Sequence, residues 1–490
     1  MGTEIKNKEQ AMMCAEDLKI NNTNIKLNNE RITFSDIRCK NLNYQISGKG
    51  ESGITLIALV VTIVVLLILA GITISLVFSE NGIIAKAKEA AEKTNQAAIN
   101  EQEQMNEVAG YLDNMLNEIG GSGGESTPPE SILPSDGSYS EKKGVNTPNL
   151  GEGMTPIKWD ETKNDWIETT GSDKEWYDYT AKKWANAKTS DGSMWVWIPR
   201  YAYSITSGYH SSSAGNIEVE FMKGLTNETS TGRKSFDNVS GQGKWNVHPA
   251  FNYGQEVSGL WVAKFEASNS GGKIKVEPGV QSWRSISVND IYTNCLNYNK
   301  TLNSHMMKND EWGAVAYLSK SKYGKNAEVT INDNSSYYTG GGSGNAYVTN
   351  VKQSTTGTVH GVYDMSGGSE EYVAAFLNNG NNALTNNGSS LVNGDAKTRN
   401  VYSKGDTDNQ SNNYSANSEK YGDAVYETST SGSGSKSWYG DSSYFSNTSG
   451  PFFRRGGSYS NGVTAGVFRF YSANGGSNSY YSFRPVLVAL

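Results

Sequence analysis

The sequence predicts an α+β protein in which a long N-terminal membrane-spanning and stalk helix precedes a large domain of short strands and long irregular loops. Three observations predict it. From Ile54 to Phe78 the chain carries no charge and no proline, and a helix rising ~1.5 Å per residue over that length covers the ~30 Å hydrocarbon core of a bilayer. Val108, Tyr111, Leu112, Met115 and Ile119 then recur at helical spacing, placing one apolar stripe on a second helical stretch. Beyond residue 150 the apolar runs are short and alternate with the period of a half-buried strand.

The wording of the first run, GITLIALVVTIVVLLILAGITI, begins after more than fifty polar residues, where a secretory signal would already have ended. It resembles the N-terminus of type IV prepilins and pseudopilins, whose polar leader ends in glycine, and it looks like the pilin-type leader of clostridial surface proteins. The resemblance implies a leader over residues 1–53 that prepilin peptidase removes after Gly53, leaving Ile54 as an N-methylated first residue. It also implies a single-pass cell-membrane protein, its ectodomain outside the cell, with other pilin subunits as partners. The family's glutamate, fifth after the cut, is Ala58 here, so the carboxylate that family members use between subunits is missing. Lysines lie on both sides of the span, Lys40 and Lys49 before it and Lys86, Lys88 and Lys93 after it, and loop charge leaves orientation open. Residues 54–119 are read as the span and stalk; GGSGGESTPPES opens a flexible linker over 120–149; residues 150–490 form the ectodomain.

That region is long enough to bury a substantial core. A net charge of −7 without a basic patch argues against nucleic acid as a partner. Of three cysteines, Cys14 and Cys39 precede the expected cut, so Cys295 stands alone, without an internal disulfide or a cysteine metal cluster. His210, His248, His305 and His360 are scattered without ligand spacing and are read as surface or loop residues; no cofactor is expected. SMWVWIPRYAYSI (193–205) and GLWVAKFEAS (259–268) read as strands at sheet edges near a core. The one clear helix starts near Ser304 and buries Trp312, Val315, Ala316 and Leu318. From about 325 to 450, Asn, Gly, Ser and Thr dominate and long surface loops are expected.

Three later segments carry a second resemblance. HGVYDMSGGSEEYVAAF (360–376) resembles the DMSGNVWEW signature of the formylglycine-generating-enzyme and sulfatase-modifying branch of the C-type lectin fold. FFRRGGSYSNG (452–462) resembles that branch's RGGSW segment, and SFRPVLVAL resembles its GFR finish. Gly368, Ser369 and Glu370 depart from the signature, while Asp364, Met365, Ser366, Gly367, Glu371 and Tyr372 keep their places. Most of these residues are expected to hold the fold, with Asp364 and Arg484 pairing or capping loops and the glycines allowing tight turns. The family's formylglycine chemistry uses a pair of copper-binding cysteines, and one cysteine cannot supply it.

The use of the fold that remains is ligand display. GGSYSNGVTAGVFRFYSANGGSNSYYSFRP is similar to the terminal segment of retroelement-diversified lectin-fold proteins, which builds a binding face. Its candidate ligand-binding residues are Tyr459, Asn461, Arg469, Tyr471, Asn474, Tyr480 and Tyr481, with Phe468, Phe470 and Phe483 as core. Tyrosine offers a large amphipathic surface with few rotors to freeze, and small polar residues supply adaptable hydrogen bonds. Tyr459, Tyr471, Tyr480 and Tyr481 are expected to be exposed together on one side. The function read from the sequence is a pilin-like, membrane-anchored surface protein, an adhesin displaying a lectin-fold domain to a protein or glycan ligand. The alternatives are a sulfatase-modifying-type enzyme and a structural minor pilin without a ligand.

Overall fold

The structure, a computed structural model, describes residues 135–490. The processing site at Gly53 and Ile54 and the segment 54–119 lie outside the described residues. Within them the architecture is sheet-rich, and its longest α-helix has 12 residues. No helix among the described residues is long and apolar enough to cross a membrane. The fold class is therefore corrected from an α+β protein headed by a long helix to a sheet-rich body with short helices. The transmembrane, pilin-type and cell-membrane readings are corrected with it.

The largest sheet is antiparallel throughout and has seven strands. Its spatial order is β13 (His305–Met306), β19 (Pro485–Leu487), β10 (Gly259–Ala263), β6 (Met194–Pro199), β5 (Asn186–Thr189), β3 (Met154–Asp160) and β4 (Asp165–Glu168). β6 and β10 were read as edges, yet each has neighbours on both sides and every residue of both is buried. The alternation misled because both faces of these strands are covered, so Trp195, Trp197 and Trp261 are core without any polar face opposite them. Pro199 ends β6, and the chain crosses into a three-stranded sheet centred on β7 (Tyr201–Ser207), between β8 (Asn216–Phe221) and β9 (Asn246–Val247). Two hairpins complete this half: β1 (Tyr139–Ser140) with β2 (Val145–Asn146), and β11 (Ser268–Ser270) with β12 (Lys273–Lys275). The first of these lies in the segment read as linker but is packed: the Trp197 and Trp261 indoles donate to the carbonyls of Asn146 and Asn149 at 3.3 and 2.6 Å.

The second main sheet is built on β14 (Glu370–Asn378). One edge of β14 pairs in parallel with β18 (Tyr481–Phe483) and then β15 (Asn400–Ser403); the other pairs with β16 (Phe452–Gly456), which pairs with β17 (Gly466–Ala473). Helix α1 (Val288–Tyr298) opens on the Ser287 hydroxyl, which accepts from the Asp290 amide at 3.2 Å, and buries Val288, Ile291, Tyr292 and Cys295. Helix α2 (Asn309–Lys320) starts later than the sequence implied, because residues 305–306 are taken by the sheet and the Glu311 carboxylate accepts from the Lys308 amide at 2.8 Å to close the first turn. α2 is buried on every side, including the expected Trp312, Val315, Ala316 and Leu318.

Gly313 explains how closely α2 is packed. A Cβ there would stand 2.0 Å from the Gly422 carbonyl oxygen. Gly→Ala inside a helix ordinarily stabilises by about 1 kcal/mol. Here the sign reverses, and Gly313→Ala is expected to destabilise by about 1–3 kcal/mol through overpacking. Urea denaturation measures it; a midpoint at or above wild type would show that the approach is not a tight one.

The Asn/Ser/Thr-rich stretch from 325 to 450 is not a set of surface loops. It contains β14, β15, α3 (Asn382–Val392) and α4 (Gln410–Ser415), and much of its irregular chain is buried. Its short polar side chains make that burial affordable by satisfying the main chain themselves. Asn413 Nδ2 donates to Asp408 Oδ1 and to the Ser446 carbonyl, Asn417 Nδ2 to the Ser403 carbonyl, and the Ser437 hydroxyl to the Phe468 carbonyl.

The two main sheets are tied at Arg484, the single residue between β18 and β19. Its guanidinium grips Glu371 of β14 with Nε and Nη2 at 3.1 and 2.7 Å and donates to the carbonyls of Ala263 and Tyr363. Asp364 and Arg484 were expected to pair or cap loops, and Asp364 takes the capping role. It accepts from the Gly340 amide at 2.8 Å and from Asn332 Nδ2 at 2.9 Å while sitting at φ +64°. Gly367 and Gly368 follow at φ +78° and +71°, and a Cβ on Gly367 would stand 2.4 Å from the Asn332 carbonyl oxygen, so this tight turn requires glycine at 367.

Candidate functional site

The seven candidate residues of the terminal segment fall into two groups and a remainder. The first group forms around Tyr337, which the sequence did not single out. Tyr337 is held at φ +58°, a conformation a tyrosine seldom adopts. The rings of Tyr459 and Tyr480 meet its ring edge to face, with centroids 4.9 and 6.1 Å away. The Arg284 guanidinium lies 3.8 Å over the same ring and donates from Nη1 to the Ser479 carbonyl at 2.6 Å. Burial, then the neighbouring Tyr459, pushes the Tyr337 hydroxyl up to about 12, so it stays a neutral donor and acceptor. Tyr480 is 45% exposed, and Val463, on the same turn as Tyr459, is 83% exposed. These side chains make an open aromatic platform with a cation at its edge.

Main-chain bonds hold the platform. The Tyr459 amide donates to the Gly368 carbonyl, the Glu370 amide to the Tyr480 carbonyl, the Ser285 amide to the Asn478 carbonyl and the Ser282 amide to the Tyr337 carbonyl, all at 2.9–3.0 Å. Four segments distant in sequence are thereby suspended near the start of β14. Next to the platform, Trp283, Ser285, Ser287, Asn294, Asn387 and Ser477 line a cleft of about 540 Å³, with Asp290 also on its wall.

The second group lies under the surface. Glu370, 4% exposed, receives Arg454 from β16 and Arg469 from β17. The Arg454 guanidinium is sandwiched by Tyr481 at 4.1 Å and Tyr471 at 5.0 Å, and Arg469 also lies over Tyr471 at 4.9 Å. Arg469, read as a ligand-binding residue, is buried and spent on Glu370, because β17 is covered on both faces. Tyr471 and Tyr481 are half-buried around this ion cluster, so the four tyrosines are not exposed together. Asn461 is used as a cap, its Oδ1 accepting from the Ser458 amide at 2.7 Å. Asn474 is exposed, and its Oδ1 accepts from the Gly476 amide at 3.0 Å. Phe468, Phe470 and Phe483 are core.

The histidines read as surface or loop residues are mostly inside, although His210, His248 and His360 do lie in loops. His248 is packed among Tyr201, Tyr203, Phe251 and Tyr317, and burial followed by the charge of Lys308 pulls it down to about 3. His305 Nε2 meets Glu311 Oε1 at 2.8 Å, and His360 lies against Trp166. Cys295 is buried on the core face of α1, and burial pushes its thiol well up. Among the described residues no group of three or more His, Cys, Asp or Glu could hold a metal ion.

Comparison with known protein families and with curated proteins finds no match to this chain. Its chemistry is therefore argued from its own residues. The platform offers aromatic faces and edges, phenolic hydroxyls and a guanidinium, and the cleft offers amides and hydroxyls. These are recognition groups, and none is a nucleophile paired with a base. Sequence reasoning missed Tyr337 and Arg284 because each is brought in from far along the chain. The one local signal was compositional: WRS (283–285) and SSYY (335–338) share the aromatic-and-small style of the terminal segment.

Proposed function

We propose that residues 135–490 form a ligand-binding domain of the C-type-lectin type that captures a protein or glycan through the tyrosine platform. The observation that carries the reading is the convergence of Tyr337, Tyr459, Tyr480 and Arg284 from separate segments into one contact cluster that leaves Tyr480 open to solvent. The positive φ of Tyr337 supports the reading, since such backbone strain gathers at ligand-binding sites. The order of the DMSGG, RRGGS and SFRP segments supports the lectin-type reading. A sulfatase-modifying-type reaction is less well supported, since Cys295 is a buried thiol with no partner cysteine in the domain.

The test is a Tyr459→Ala/Tyr480→Ala variant of the full chain. Losing an exposed aromatic anchor is expected to cost ~2 kcal/mol or more of binding, whereas truncating a core aromatic costs ~3–5 kcal/mol of folding. The variant should melt near wild type and lose the ligands that wild type retains on arrays of immobilised glycans and purified proteins. Unfolding, or undiminished binding, would remove the platform as the site.

A further inference from the structure

We infer that the ligand of this platform is an anionic saccharide, its carboxylate seated on Arg284 and its sugar rings running from the tyrosines into the adjoining cleft. The inference rests on the binding role proposed above. Arg200, Arg233, Arg454, Arg469 and Arg484 each face a carboxylate. Among the described residues Arg284 forms no ion pair, and its one hydrogen bond, from Nη1, goes to the Ser479 carbonyl. A half-buried guanidinium, already flattened on an aromatic ring and lacking a counter-charge, is pre-organised for a planar anion. Only Nη1 is bonded among the described residues, so the other terminal nitrogen, Nη2, keeps its donors for a ligand. The cleft beyond it specifies the rest of the ligand. Ser285 and Ser477 present hydroxyls, Asn294 and Asn387 present the oxygens of amides whose nitrogens bond the Asp290 and Asn474 carbonyls, and Trp283 gives a ring to stack on. At about 540 Å³ the cleft has room for a sugar residue. Asp290 on its wall disfavours a second anion there, which orients the ligand with its carboxylate on the Arg284 side.

The experiment is calorimetric titration of the full chain with a trisaccharide of galacturonic acid and with its methyl ester, which keeps the rings and removes the charge. The acid should bind about tenfold more tightly than the ester, as one charge-assisted contact implies, and raised salt should narrow the difference. Arg284→Gln should bring the acid down to the ester's affinity. Equal binding of acid and ester by wild type, no binding of either, or tighter binding of a polyglutamate peptide would overturn the inference. The Tyr459→Ala/Tyr480→Ala variant separates the two levels. Acid and ester bound equally by wild type but lost in that variant would keep the binding face and remove its charge preference. Undiminished binding in that variant would remove the face itself.

Discussion

Arg484→Met should destabilise the protein by about 3–5 kcal/mol, a third or more of the stability of an ordinary domain. Methionine keeps much of the length and removes the charge. Glu371 then loses its only ion pair among the described residues, with Asp364 and Glu266 close enough to repel it. Burial already pushes all three carboxyls up, and the positive charge of Arg484 opposes that rise in each, beside the amides that donate to Glu266 and Asp364. The variant also leaves the carbonyls of Ala263 and Tyr363 without their donor, at the point where the chain passes from one sheet to the other. Equilibrium unfolding measures the loss. Arg484→Met/Glu371→Gln should recover part of it, because the second change removes the stranded charge. An Arg484→Met protein within about 1 kcal/mol of wild type would mean that the two sheets do not depend on this cation.

The second expected result concerns Glu427, which is completely buried and has no cation bonded to it. It accepts from the hydroxyls of Tyr203 and Tyr317 at 2.9 and 2.8 Å and from the Gly422 amide at 2.6 Å. Burial outweighs these donors and raises its pKa from 4.5 to about 7, with Asp423 adding repulsion and His248 nearby kept neutral. A carboxyl whose folded pKa is raised contributes stability that is complete below its unfolded value and is lost as pH climbs through the folded one. Wild type should thus lose this contribution between about pH 4.5 and about pH 7. Glu427→Gln, which mimics the protonated carboxyl, should not. The stability difference between the two proteins is expected to shift in favour of the variant by on the order of 3 kcal/mol across that window. Taking the difference removes the opposing contribution of groups such as Glu311, whose pKa is lowered by His305 and Lys308. Denaturation of both proteins at pH 4.5 and 7.5 reads it, and a difference independent of pH would show that Glu427 does not titrate there.

What the sequence made legible was whatever depends on neighbours along the chain. The alternation in FRFYSA identified Phe468 and Phe470 as core, and the spacing of Trp312, Val315 and Ala316 identified a buried helix. Its start was misplaced because His305 and Met306 are claimed by β19, a strand at the far end of the chain. Arg469 was misread for a related reason. Its place in β17 gave the right strand face, but the carboxylate that buries it stands 99 residues upstream. The polar stretch from 325 to 450 carried no apolar period, and only the structure reveals that its amides and hydroxyls do the pairing that regular elements do elsewhere. Tyr459 and Tyr480 were singled out through the terminal segment's resemblance to diversified lectin-fold proteins, whereas Tyr337 and Arg284 join them by contacts that no local pattern encodes.

The platform's loops hang on the start of β14 and the turn before it, and on one another, by amide-to-carbonyl bonds at Glu370, Gly368 and Asn478. Such bonds use atoms that every residue except proline possesses, so the suspension is indifferent to which side chains the loops carry. Ser460, Val463, Ser477, Ser479 and Tyr480 face solvent, and the packed phenylalanines and Arg454 lie on the strands beneath them. The domain thus separates the residues that must be kept from those that are free to be rewritten. A lineage could exchange the outward letters of these loops many times, and so change what is held, while the chain went on folding by the same inner text.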